Sequence, residues 1–171
     1  MNLQDRIAII GFMACGKTEV ARFVADQLNV EMVDLDEVIT STEGRSPAEL
    51  IREEGEHSFR QIETVNLQRV LDRDQARVIA LGGGAWIQPA NRDLLATRGA
   101  KVVWLDVPFD LCWKRIESSN EDRPLGTTRE QASELFDRRY PIYELAPVKI
   151  KVTAADNPGE IAARIVAELR R

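Results

Sequence analysis

Apolar residues along the chain fall into two alternating rhythms, short continuous runs and longer stretches at helical spacing. Ile7–Ile10 is a four-residue run of the kind that forms a strand buried on both faces of a parallel sheet. Residues 18–28 follow with Val20, Phe23, Val24 and Leu28 on one helical face, and Asn29 suits the helix end. Residues 31–36 predict a second strand that emerges into Asp34 and Asp36. Ser46-Pro47-Ala48-Glu49 predicts a helix start, with proline first and glutamate third, and the helical segment after it offers Phe59, Ile62 and Leu67 to the core. Residues 78–81 give a third strand running into Gly82, Gly83 and Gly84, with a helix over 88–96 beyond. A fourth strand spans 102–106, and a helix spans 108–116 with Leu111, Cys112 and Ile116 inward. Periodicity lapses over 117–128, a polar stretch that predicts a mobile loop. It resumes in a helix over 129–140, with Ala132, Leu135 and Phe136 apolar, and in an alternating fifth strand over 148–152 with one wetter face. Asn157-Pro158-Gly159 turns into a last amphipathic helix carrying Ile161, Ile165, Val166 and Leu169.

Strands alternating with helices predict an α/β protein, a parallel sheet with helices on both faces. The 171 residues suffice for one well-filled core, so a single domain over 1–171 is expected. A net charge of −5 argues against general affinity for nucleic acid or an anionic membrane. Two cysteines, Cys15 and Cys112, make neither a disulfide framework nor a metal-ligand set, and no apolar run approaches the roughly 20 residues that span a bilayer. The cytoplasm is the expected compartment.

The first strand and helix flank Gly11-Phe12-Met13-Ala14-Cys15-Gly16-Lys17-Thr18, which fits G-x-x-x-x-G-K-[ST]. Such a loop cradles phosphates with successive backbone N–H groups. Lys17 can reach the β- and γ-phosphates, and the Thr18 hydroxyl can sit on Mg²⁺. A lysine in the first turn of a helix is disfavoured by the helix dipole, so a bound anion explains it better than helix stability does. Cys15, beside Lys17 at a helix N-terminus, reads either as a thiolate that ATP shields from alkylation or as a small inert loop side chain.

Asp34 and Asp36 flank Leu35, so in extended chain both point to one side, where the strand end opens toward the phosphate loop. They can hold Mg²⁺ and a substrate hydroxyl, or simply cap the next helix. Asp106, closing the fourth strand, competes with Asp34 for the metal. Arg60 and Glu63, three apart, read from spacing alone as a surface ion pair. His57, the only histidine, reads as a solvated helix residue. The three glycines permit positive φ and close approach of a ligand to backbone. Arg123, in the polar loop, is either solvated or brought over the phosphates by loop closure.

Together these residues resemble the shikimate kinases, within the nucleoside-monophosphate-kinase-like group of phosphate-loop proteins. The resemblance rests on the phosphate loop, Asp34-Leu35-Asp36, Gly55-Glu56 followed by Phe59-Arg60 and Glu63, the glycine triplet, Arg123-Pro124-Leu125, and Arg139 before Pro141 with Tyr143 beyond. It implies a three-layer α/β/α fold with five parallel strands in the order 2-3-1-4-5, a lid over about 117–128, and transfer of phosphate from ATP to shikimate with Mg²⁺, by a monomer. Residues 14–19 (Ala14, Cys15, Gly16, Lys17, Thr18, Glu19) would bind nucleotide, with Arg115 and Pro158 flanking adenine and Arg123 as the lid arginine. Thr18 and Asp34 would serve the metal, and Asp36 the substrate hydroxyls. Arg60 and Arg139 would bind the carboxylate, with Glu63 orienting Arg60 and Gly82, Gly83 and Gly84 bordering the substrate. The family commonly has glycine where Ala14 stands and a larger apolar residue where Gly126 stands. The rival readings are a kinase of another small hydroxy acid such as gluconate, and a non-catalytic nucleotide-binding switch.

Overall fold

Ile7, Ala8, Ile9 and Ile10 are wholly buried, and their strand β1 (Ile7–Ile10) is the middle of the sheet. The computed structural model describes residues 6–73, 76–119 and 124–171. Around β1 lie β2 (Met32–Asp34), β3 (Val78–Ala80), β4 (Lys101–Asp106) and β5 (Val148–Lys151), all pairings parallel, in the order β2-β3-β1-β4-β5. This is the order the family resemblance implies. Helices α1 (Lys17–Leu28), α2 (Leu35–Glu43), α3 (Pro47–Asp72), α4 (Pro89–Thr97), α5 (Phe109–Glu117), α6 (Arg129–Tyr143) and α7 (Pro158–Leu169) complete a three-layer α/β/α architecture. Because β1 has β3 on one side and β4 on the other, the chain leaves β1 where the strand order reverses, the place at which α/β sheets open a crevice. The phosphate loop occupies that place.

Three local departures from the sequence reading, and the kink within α3, have physical causes. The second strand stops at Asp34, whose Oδ1 accepts from the Asp36 N–H at 2.9 Å and caps α2. Asp34 and Asp36 are therefore neighbours across a strand-to-helix corner, not by strand alternation. Phe23 is 41% exposed, because α1 presents a stripe of Val20, Ala21, Val24 and Ala25 to the interior. Its ring lies instead beside Gly159, at the start of α7. Helix α3 is two helical sections joined at Gly55, whose φ of 87° only glycine adopts cheaply. Helix α6 runs three residues past the predicted stop, through Pro141. That ring faces outward, where solvent can serve the carbonyl it leaves without a helical donor.

The first section of α3, ahead of Gly55, begins at a defined cap. Ser46 accepts from the Glu49 N–H, and the Glu49 carboxylate accepts from the Ser46 N–H at 2.6 Å, a reciprocal cap. Ser46→Ala is expected to lower stability by about 1 kcal/mol. Urea unfolding checks this, and an unchanged midpoint with unchanged slope would show the cap to be idle.

Candidate active site

The phosphate loop folds between the end of β1 and α1 with two left-handed residues, Gly16 (φ 93°) and Ala14 (φ 58°). Alanine adopts this conformation at a strain of about 1–2 kcal/mol, so the surrounding contacts hold the loop in the shape glycine would take freely. Lys17 Nζ donates to the Phe12 carbonyl at 2.8 Å, reaching back over its own loop. Thr18 Oγ1 donates to Asp34 Oδ2 at 2.5 Å, which joins the loop to the end of β2. Arg115 Nη1 donates to the Ala14 carbonyl at 3.2 Å.

A cleft of about 690 Å³ runs from this loop to the glycine triplet. Ala14, Gly16, Lys17, Thr18, Glu19, Arg115 and Pro158 lie along one end, while Asp36, Arg60, Glu63 and Arg139 lie along the other. Cys15 also borders the cleft, but only 1% of it is exposed. Its sulfur fills the space that Gly11 leaves, since a Cβ on Gly11 would stand 2.8 Å from Cys15 Sγ. This burial favours the inert reading of Cys15 over the reactive one. Cys112 is buried as well, and burial pushes its thiol up to about 12.

At the far end, the pair read from spacing as a surface contact is an interior one. Arg60 is 8% and Glu63 0% exposed, and Arg60 Nη1 donates to both Glu63 oxygens at 3.0 and 2.9 Å. Burial opposes the Arg60 charge, but Glu63 and then Glu56 more than offset it and raise its pKa. Glu63 is pushed up to about 7 by burial, with Arg60 pulling against that rise. Arg139, 7% exposed, donates from Nη1 to the Gly83 carbonyl at 3.3 Å, and its pKa is lowered chiefly by burial, with the neighbouring Arg60 charge adding to the effect.

The glycine triplet works by absence of side chains and not by positive φ, which none of the three adopts. A Cβ on Gly82 would stand 2.7 Å from Asp36 Oδ1, and one on Gly84 would stand 2.1 Å from Arg60 Nη2. A Cβ on Gly83 would press on the Met13 backbone N at 3.2 Å. The strip is thus the floor on which the carboxylate, the guanidinium and the phosphate loop all rest.

Other expected residues fall outside this arrangement. Asp106 is paired with Lys149 Nζ at 3.2 Å, on the β4–β5 side of the sheet, and does not border the cleft. Arg123 lies outside the described residues, as does part of the expected lid. Of that lid's C-terminal end, Pro124 and Leu125 border the cleft, and Gly126 is buried against the Met13 methyl. A Cβ there would meet Met13 Cε at 2.6 Å, so Met13 occupies the volume that a larger residue at 126 would take. His57 is exposed, as expected. Among the described residues no group of three His, Cys, Asp or Glu is placed to hold a metal, and no helix is long and apolar enough to cross a membrane.

Two further contributors stood in the family pattern with no role attached. Tyr143, 1% exposed, donates from its hydroxyl to the Gly83 carbonyl at 2.5 Å, and burial raises its pKa. Glu56 touches both arginines. Its place four residues before Arg60 was the available signal. For Tyr143 it was the place two residues past Pro141 in the family pattern.

Fold and cleft define a phosphate-loop α/β protein with a second subsite built around paired arginines. The family model for shikimate kinase matches residues 13–170. A shikimate kinase of Streptococcus gordonii is 40% identical over 157 residues, spanning 90% of this chain and 94% of its own. The solved shikimate kinase of Acinetobacter baumannii, in complex with shikimate, superposes with a TM-score of 0.88 at 32% identity, covering 97% of this chain and 93% of that one. A gluconokinase of Sinorhizobium meliloti, at 15% identity and a TM-score of 0.58, shares the fold. The chain belongs to the shikimate kinase family.

Glu63 makes stability depend on pH in a defined direction. Its ordinary carboxyl value of 4.5 rises to about 7 on folding, so between these the folded state keeps a proton that the unfolded state has lost. The contribution is fully present below about 4.5 and is lost as pH rises through about 7. Urea unfolding between these limits should show the parent losing stability with pH more steeply than Glu63→Gln. Parallel pH profiles would contradict the assignment.

Proposed function

We propose that the protein transfers the γ-phosphoryl group of ATP to a hydroxyl of shikimate, giving shikimate 3-phosphate. The observation that carries the reading is the pair of buried guanidiniums, Arg60 and Arg139, at the end of the cleft opposite Lys17. Two such cations beside one fully buried carboxylate leave a place for an acid. The shikimate bound to the A. baumannii relative supports that acid as the occupant.

In this reading Lys17 and the backbone N–H groups of the loop hold the β- and γ-phosphates. Thr18 and Asp34, hydrogen-bonded to each other, would hold Mg²⁺, since one hydroxyl with one carboxylate suits an ion that keeps waters and takes its remaining ligands from phosphate. When bound, Mg²⁺ supplies neutralisation of charge on the transferring phosphate. Asp36, held at the start of α2 above Gly82, would accept a hydrogen bond from the substrate hydroxyl and take its proton as that oxygen bonds to the γ-phosphorus and the bridging oxygen leaves with ADP. Arg60 and Arg139 would fix the acid end so that this hydroxyl faces the phosphate, and the family resemblance gives Arg123, outside the described residues, the role of lid arginine. Catalysis comes from positioning and charge neutralisation more than from covalent chemistry. The same proposal has the enzyme act as a monomer in the cytoplasm, where two free, buried cysteines stay reduced.

A coupled ADP-release assay with Mg·ATP and a panel of hydroxy acids tests the substrate. Turnover is expected with shikimate, whereas turnover with gluconate and none with shikimate would sink the reading. Arg60→Lys and Arg139→Lys should each weaken shikimate binding by about 2–5 kcal/mol while leaving ATP affinity nearly unchanged, since lysine lacks the planar fork. Calorimetric titrations in which both variants bind shikimate like the parent would remove the acid-binding role. Asp34→Asn should depress turnover far more than Asp106→Asn at equal stability, and the reverse order in a Mg²⁺ titration would move the metal to β4.

A further inference from the structure

The two arginines are already engaged, and unequally. Arg60 gives Nη1 to Glu63, and gives Nη2 and Nε to a single oxygen of Glu56 at 3.0 and 3.3 Å. The same Glu56 oxygen lies 3.9 Å from Arg139 Nη2. One carboxylate oxygen of the chain thus stands between the two guanidiniums that form the acid subsite. The two partners differ in their freedom to leave: the Glu63 side chain is 0% exposed, and that of Glu56 is 47% exposed, one residue after the Gly55 kink.

We infer that Glu56 is the internal occupant of the acid subsite and is exchanged for the substrate's carboxylate. Resting on the proposed function of the same cleft, this makes Glu56 a positioning residue that sets affinity. With Glu56 in place, an incoming acid meets a carboxylate oxygen already seated against both guanidiniums. When Glu56 turns out to solvent, the acid takes its place against them. Until then Glu56 holds two like charges side by side in a geometry that a carboxylate can use. Its exposed contact is weak enough to be given up, whereas that of Glu63 is not.

The test measures binding of three probes to the parent, Glu56→Gln and Glu56→Ala: shikimate, its analogue with hydroxymethyl in place of the carboxylate, and cyclohexene-1-carboxylate, which has the acid without the hydroxyls. Both variants should bind the two acids about two- to fivefold more tightly, the range that one exposed ion pair supplies, and the alcohol no better. The KM for shikimate should fall while the KM for ATP holds, and the melting temperature of the free protein should drop by only about 1–4 °C, the counterpart of the same lost contact; a merely structural role would not lower the KM. Equal or weaker binding of both acids, or an equal gain for the alcohol, overturns the exchange. Shikimate turnover without the gain removes the exchange and keeps the substrate. A gain for cyclohexene-1-carboxylate in a protein that does not phosphorylate shikimate keeps the exchange and removes the substrate.

Discussion

A guanidinium withdrawn from water needs a counter-charge, and much of this molecule's substrate side follows from supplying one to Arg60. Glu63 is the permanent partner, itself so deeply buried that only the cation beside it makes a charged carboxylate tolerable there. Each group justifies the other, so the pair is rigid in a way that an exposed pair at the same helical spacing is not. Rigidity is what a subsite for a small, polar acid requires, because the acid brings few contacts of its own.

Space for that pair comes from Gly82, Gly83 and Gly84. The edge of the sheet ends in three positions with no side chains, over which Asp36, Arg60 and the phosphate loop lie in direct contact. The cleft is therefore continuous from phosphate to acid, and the distance between its ends is set by sheet geometry and by α3. Gly55 adjusts the second determinant, since the turn it makes directs the helical section that carries Arg60 and Glu63.

The sheet and the phosphate loop were legible because their signals are local: runs of apolar residues, a spaced motif, glycines at strand ends. Strand order was not local and came from the family resemblance. Arg60 and Glu63 show where local reading fails, since three-residue spacing gives the same pattern on a wet or a dry helix face, and only the tertiary position of α3 decides. Asp34 and Asp36 were read both by strand alternation and as a helix cap, and it is the cap that brings them together. Tyr143 stood in the family pattern, but its contact with Gly83 depends on a helix that continues past Pro141, a residue that ends many helices and interrupts this one only on its outer side.

Met13 has its backbone against Gly83 and its terminal methyl against Gly126. One residue of the phosphate loop thus separates the substrate floor from the C-terminal end of the segment expected to close over it. Interiors packed without voids do not absorb volume changes at one contact alone. Positions 13 and 126 consequently share one volume: a bulkier residue at 126 would oblige Met13 to swing its terminal methyl elsewhere, a move open to an unbranched thioether chain, while its backbone stays against Gly83.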